Sequence, residues 1–373
     1  MAKRRDFLSK TMEVRPPWSR PCLGNSATIG HMKLLMISTD RKIFEKGSAV
    51  YLRMVENAKE WEEMHIVVFT PKTFQEISLS PNVWVYPTRS IIKCMYPFDA
   101  ISLGRFIISK RGITNITCQD PFLTAMAGIS LKKEFSIPLE IQIHTDIGSP
   151  YFGYSIGNKI RKAIALSYLP KADSIRVVSE RINNYLVGTM KIDHFRITTR
   201  SIAVDIAKIK NSLITTDLHQ KYPHFSKIVL MASRLEPEKN IKLALRAWPK
   251  VLQTIPQAGL VIVGSGSLES KLKKLSRKLG LMDDSGLSSI QTVVFEKWID
   301  KETLYSYYKT SDLFLSTSLY EGYGMSLVEA RAAGCSIVST DVGVAKEQGA
   351  LIIANNDQAL AEAVIKSLNN SGI

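Results

Sequence analysis

No stretch of this sequence approaches the ~18 uninterrupted apolar residues that a membrane-spanning helix needs, which argues against an integral membrane protein. Cysteine is scarce as well: Cys22, Cys94, Cys118 and Cys335 lie far apart, with no CxxC or other metal-ligand spacing. That pattern argues against a disulfide framework or a zinc site and fits isolated thiols in a reducing cytoplasm, so no bound metal is expected. Aromatic-interleaved basic strands and zinc-finger spacings are missing too, and nucleic acid is therefore not an expected partner.

What the chain does have is length and a lopsided charge. Its 373 residues, 45% of them hydrophobic, suit a soluble protein of two medium-sized domains. Of the net +15, residues 1–210 carry +13 (31 Lys/Arg against 18 Asp/Glu) and the remainder only +2. A one-sided positive field attracts phosphorylated substrates or anionic lipid headgroups, although a basic surface without a partner would look the same in composition.

Residues 1–31 hold Lys3, Arg4, Arg5, Lys10, Arg15 and Arg20 and the Pro16-Pro17 pair, without sustained periodicity or the apolar run of a secretory signal. They read as a disordered basic leader, with a short membrane-surface anchor as the sharper alternative. From Met32 onward, apolar runs at 33–38, 65–69, 83–86, 113–118, 139–144 and 174–178 alternate with helical segments. A second series follows at 228–232, 259–263, 292–295, 313–316 and 336–339. Continuous apolar strands alternating with helices predict two doubly wound, Rossmann-like parallel sheets. We expect an N-terminal domain over 32–205 and a C-terminal domain over 206–373. The connection would lie in the weaker stretch 197–225, and a central cleft would face the carboxyl ends of the strands.

The most informative segment is 319–347, LYEGYGMSLVEARAAGCSIVSTDVGVAKE. Glu321 opens a Glu-Gly-Tyr-Gly turn that leads into a helix, and Glu329 follows eight residues later inside it. Open N–H groups and the dipole at a helix start favour an anion such as phosphate, and Gly322 and Gly324 let backbone approach it. Two carboxylates beside such a cradle can accept hydrogen bonds from sugar hydroxyls. A dipole-favoured Glu and an exposed helical Glu would give the same letters. The second element is SRLEPEKN at 233–240, directly after a strand. There Arg234 offers a planar fork and Lys239 a point charge, which suits a diphosphate. Gly264-Ser265-Gly266 also follows a strand, but Glu269 stands where a dinucleotide fingerprint needs glycine, so the turn is read as a tight strand-to-helix connection near a nucleotide base.

Together the SRLEPEKN segment, VIVGSGSLESKL and the EX7E element from Glu321 to Glu329 resemble glycosyltransferase family 4, retaining GT-B enzymes of the glycosyl transferases group 1. Gly47-Ser48, His144-Thr145-Asp146 and ADSIRVVSE at 172–180 resemble the family's first-domain loops. The resemblance implies a metal-independent, retaining sugar transfer from a nucleotide sugar, with a UDP- or GDP-sugar expected and no separate cofactor. Arg234 and Lys239 would neutralise the departing diphosphate, Glu329 would bind the ribose and Glu321 the donor sugar. Backbone amides of Gly322, Tyr323, Gly324 and Met325 would hold sugar and phosphate. His144 would lie near the transferred sugar, Gly47 near the diphosphate and Gly264 near the base, with Asp120 a weaker candidate for acceptor contact. The acceptor would be a glycan or a lipid-linked molecule of cell-surface polysaccharide or glycolipid synthesis, met by a cytoplasmic protein peripheral to an anionic membrane. The helix NKIRKAIALSYL at 158–169 is the candidate for that surface, and core packing is its equal rival. A nucleotide-sugar epimerase and a non-catalytic nucleotide-sugar-binding module are the competing readings. Two departures stand out: Val344 replaces the family's second glycine after the DVG turn, and the sequence ends at Ile373, where many relatives continue with a helix crossing back to the first domain, so weaker closure is expected.

Overall fold

The computed structural model describes residues 32–282 and 291–370. The basic leader expected at 1–31 lies outside them. The chain forms two compact units: one takes residues up to Gln142 with Ser167–Arg176 and His194–Thr198, the other Ile143–Leu166, Val177–Asp193 and everything from Thr199.

The first unit supplies most of every strand of an eight-stranded sheet. The strands are β1 (Lys33–Ser38), β2 (Glu63–Val68), β3 (Ile77–Ser80), β4 (Val83–Pro87), β5 (Asn115–Cys118), β6 (Leu139–Ile143), β7 (Ser174–Val177) and β8 (Ile197–Thr199), in the order β3-β4-β2-β1-β5-β6-β7-β8. β1 pairs in parallel with β2 and β5 and is covered on both faces, which is why KLLMIS reads as one apolar run. Its Leu34 and Met36 pack with Met54 of α1 (Ala49–Asn57). Helices α2 (Tyr96–Arg111) and α3 (Leu123–Phe135) pack on each other and on β1. The sheet departs from the all-parallel expectation at its edge, where β3 runs antiparallel to β4. Its ISLS sequence alternates rather than running apolar, as an edge strand can.

The second unit holds α4 (Ile156–Tyr168) apart from its last residues, α5 (Glu180–Gly188), α6 (Ile206–Asn211), α7 (Leu218–Lys221) and a six-stranded sheet with its helices. The strands are β9 (Lys227–Ala232), β10 (Ala258–Val263), β11 (Val293–Glu296), β12 (Leu313–Ser316), β13 (Ile337–Thr340) and β14 (Leu351–Ile353). They lie in the order β11-β10-β9-β12-β13-β14, each neighbouring pair parallel. β9 shows how the sequence builds this layer. Val229 and Met231 enter the core under α8 (Ile241–Thr254) and α12 (Asp357–Asn370), around the fully buried Trp248. Ile228, Leu230 and Ala232 enter the opposite core with Tyr305, Tyr307 and Tyr308 of α10 (Lys301–Thr310) and Leu327 of α11 (Met325–Ala332). Period-two alternation thus feeds two apolar layers from one uninterrupted run. The remaining helix, α9 (Glu269–Lys278), buries Leu272 beside Trp248. The stretch expected as a bare connection contains β8, α6 and α7; Ile209 and Leu218 anchor the last two in the core.

Candidate functional site

The chain runs outward from β9 through β10 to β11, then returns to β12 and runs the other way to β14. The loops at the carboxyl ends of β9 and β12 therefore diverge, and such a switch point is where open α/β sheets bind ligands. SRLEPEKN leaves β9 there, and the Glu-Gly-Tyr-Gly turn follows β12.

Backbone contacts stitch these loops together. The Leu319 N–H donates to the Glu238 carbonyl at 2.7 Å, and Thr317 Oγ1 donates to the Lys239 carbonyl at 2.9 Å. Lys239 ends a short helical turn, Pro237–Lys239, from which Asn240 departs at φ 48° into α8. The Lys239 Nζ thereby reaches Glu321 Oε1 at 2.5 Å, and Ser318 Oγ donates to the same oxygen at 2.7 Å. Both charged side chains are largely shielded, 14% and 17% exposed. Arg234 is open by comparison: its guanidinium meets Glu238 at 2.7 Å and 62% of the side chain faces solvent.

Gly322 cannot carry a side chain, because a Cβ there would stand 2.0 Å from the His144 carbonyl oxygen. That approach brings the backbone of His144, an exposed residue following β6, against the turn. Ser179 Oγ fastens the same peptide by donating to the Gly322 carbonyl at 2.8 Å. Gly324 precedes α11 with no side-chain cap; the Leu327 N–H donates to its carbonyl at 3.0 Å, and the N–H groups of Met325 and Ser326 remain available to an anion. Further along α11, Glu329 is half-buried and accepts a bond from the Tyr308 hydroxyl at 3.3 Å. Burial raises its carboxyl above the usual range, against the lowering effect of Tyr308 and Lys301.

The Gly264 turn is clamped to SRLEPEKN. A Cβ at Gly264 (φ +143°) would lie 1.9 Å from the Ser233 carbonyl oxygen. The Leu235 N–H donates to Ser265 O at 3.0 Å, while Ser267 donates through N and Oγ to Glu236 at 2.9 and 2.6 Å. These bonds hold the Glu236 carboxyl below its ordinary range. Trp298, just beyond β11, stands with a ring carbon 3.7 Å from the same Cβ position and is 51% exposed. The sequence reading missed it; its only signal was a tryptophan in a polar loop between a strand and a helix.

Gly47 lies in the first unit at φ +81°, exposed, just before Ser48, whose side chain caps α1 by accepting from the Tyr51 N–H. Asp120 has a structural task, accepting the Phe122 N–H at 2.8 Å. Val344 is accommodated because it is Gly343 that approaches Tyr323; the Val344 N–H donates to the Tyr323 carbonyl at 2.9 Å.

Residues 216–372 match the family model for glycosyl transferases group 1. Alpha-monoglucosyldiacylglycerol synthase of Streptococcus pneumoniae is 26% identical over 350 residues, covering 86% of this chain and 75% of its own. Sucrose-phosphate synthase from Thermosynechococcus elongatus superposes with a TM-score of 0.72 at 21% identity, over 91% of this chain and 90% of its own. Anabaena HepE, solved with UDP and glucose, superposes with a TM-score of 0.64 at 17% identity and 91% coverage of both. The chain has the GT-B fold, and the family match and the relative support a glycosyltransferase of group 1.

Proposed function

We propose that this chain transfers a sugar, with retention of configuration and without a catalytic metal, from a UDP- or GDP-sugar to a glycan or lipid-linked acceptor. The observation that carries the proposal is the Lys239–Glu321 pair at the β9/β12 switch point. A lysine held there supplies positive charge where a diphosphate would leave, and Arg234, largely solvent-facing, can offer its planar fork to the other oxygens. The open Met325 and Ser326 N–H groups at the start of α11 add partial positive charge. Glu321 would exchange its Lys239 contact for donor-sugar hydroxyls, and Glu329 would accept from the ribose. The exposed Trp298 beside Gly264 offers a flat apolar face for the base, and His144 would approach the transferred sugar.

In the transfer, the bond between the anomeric carbon and the diphosphate oxygen breaks and the nucleoside diphosphate leaves with the electron pair. An acceptor hydroxyl oxygen forms the new glycosidic bond to that carbon, and its proton passes to the departing diphosphate. The solved HepE complex with UDP and glucose supports a nucleotide-sugar donor. The pneumococcal relative, by its name a glycolipid synthase, supports an acceptor in glycolipid or polysaccharide synthesis. The charge of +13 on residues 1–210 supports work on the cytoplasmic side of an anionic membrane.

The test is release of UDP or GDP from a panel of nucleotide sugars in EDTA, by wild type and by Lys239→Ala. Turnover of one donor class by wild type, lost in the variant, supports the reading. Equal turnover by both proteins, or none by wild type with any donor, refutes it.

A further inference from the structure

Ser179 stands where a serine ordinarily caps a helix, and it does not cap. It is the residue before α5, in extended conformation, and its side chain makes no bond to the first turn. A hydroxyl at that position usually accepts from an N–H two or three residues on. Here the residue is 2% exposed, and its hydroxyl donates instead to the Gly322 carbonyl, 143 positions along the chain.

The consequence lies on the far side of the Gly322 peptide. In a trans peptide the carbonyl and the following N–H point in opposite directions, and no described peptide is cis. Holding the Gly322 carbonyl against Ser179 therefore aims the Tyr323 N–H away from it. The next peptide is held the same way: the Val344 N–H takes the Tyr323 carbonyl at 2.9 Å, which aims the Gly324 N–H. An ion pair of Arg181 with Asp341 ties the loop bearing Ser179 to the loop bearing Val344, and Lys346 meets the second Asp341 oxygen at 2.8 Å. Among the described residues, the N–H groups of Tyr323, Gly324, Met325 and Ser326 have no acceptor. Successive open N–H groups around a left-handed residue, here Gly324 at φ +94°, make a concavity that suits an anion.

Position along α11 says which anion. Glu329, assigned to the ribose, lies four residues past Met325, about 6 Å along the helix axis. The Tyr323 and Gly324 N–H groups precede the helix, at the end away from Glu329, where the distal phosphate of a nucleoside diphosphate would reach.

We propose that Ser179 is a positioning residue for sugar transfer. By holding the Gly322 carbonyl it aims the N–H groups of the turn at the distal phosphate of the leaving nucleoside diphosphate. This rests on the reading of the turn as the donor site, and adds to it a residue that touches no donor atom.

Calorimetric titration of UDP, UMP, GDP and GMP into wild type and Ser179→Ala tests it. The variant should bind the diphosphate about tenfold more weakly, in the range for one hydrogen bond to a charged group, and the monophosphate within about twofold of wild type. A hydroxyl that only completed the packing would change both alike, or neither. In wild type, hydrogen–deuterium exchange over 322–326 should slow further with the diphosphate than with the monophosphate, a readout that needs no variant. Equal losses for diphosphate and monophosphate in Ser179→Ala, no loss for either, or equal protection of 322–326 by both nucleotides would overturn the proposal and leave the donor site in place. A wild type that binds neither UDP nor GDP would overturn the donor reading and this proposal with it.

Discussion

Lys239 Nζ and Glu321 Oε1 stand 2.5 Å apart, joined across the point where the six-stranded sheet reverses its order. The two residues are 82 positions apart, and each leaves the carboxyl end of a different strand. A shielded pair of this kind is strong only while both partners are present; a ligand that brings its own anion and hydroxyls can take over both halves.

Removing the cation tests that exchange. Lys239→Ala should lower kcat/KM for the nucleotide sugar by roughly 10²–10³, the range for losing one preorganised charge-stabilising group. Steady-state kinetics with the active donor checks it, and an unchanged kcat/KM would remove Lys239 from the site.

Glu329 gives the binding a pH dependence. Burial raises its carboxyl pKa, and ribose hydroxyls are better accepted by the ionised form. Nucleotide affinity should therefore fall as pH drops through that raised pKa. Stability has the opposite sign: the folded state favours the protonated acid, so this contribution is full below the unfolded pKa and lost as pH rises through the folded one. Calorimetric titrations across acid to neutral pH should show the fall in wild type and a flat profile in Glu329→Gln. Parallel profiles would argue against a ribose contact.

Trp298→Ala should weaken UDP or GDP binding by about 1–3 kcal/mol, the usual value of one base–aromatic stack. Because half of the ring is already exposed, the melting temperature without ligand should barely move. Unchanged nucleotide affinity would send the base elsewhere.

Gly264→Ala should destabilise the protein by about 2 kcal/mol or more, since the new methyl would meet the Ser233 carbonyl at 1.9 Å and the φ of +143° is one that alanine avoids. Urea unfolding followed by circular dichroism measures this, and wild-type stability would show that the SRLEPEKN loop yields freely.

Much of this architecture was legible because buried parallel strands are apolar on both faces. The runs KLLMIS and LFLS announced β1 and β12, and the Glu-Gly-Tyr-Gly turn announced the start of α11. The elements that escaped carry weaker patterns. β3 alternates serine with apolar residues at an edge, while β8 and β14 have three residues each. In the site, the motif order suggested that Lys239 and Glu321 belong together, but no spacing could show them touching. The approach of the His144 backbone to Gly322 was equally hidden, since it depends on a tertiary contact between loops 178 residues apart, 144 to 322. For α4, composition left surface and core readings balanced, and only the direction in which Ile156 and Ile160 face distinguishes them.

The most direct test of the central claim is a calorimetric titration of UDP and GDP in EDTA into wild type, Lys239→Ala and Glu321→Gln. The account predicts that one nucleotide binds wild type without metal and that Lys239→Ala weakens it at least tenfold. Glu321→Gln, altering the sugar contact, should leave the bare nucleotide within a few-fold of wild type while weakening the corresponding nucleotide sugar. Equal binding of the nucleotide to wild type and Lys239→Ala, or binding that appears only with added metal, would contradict it.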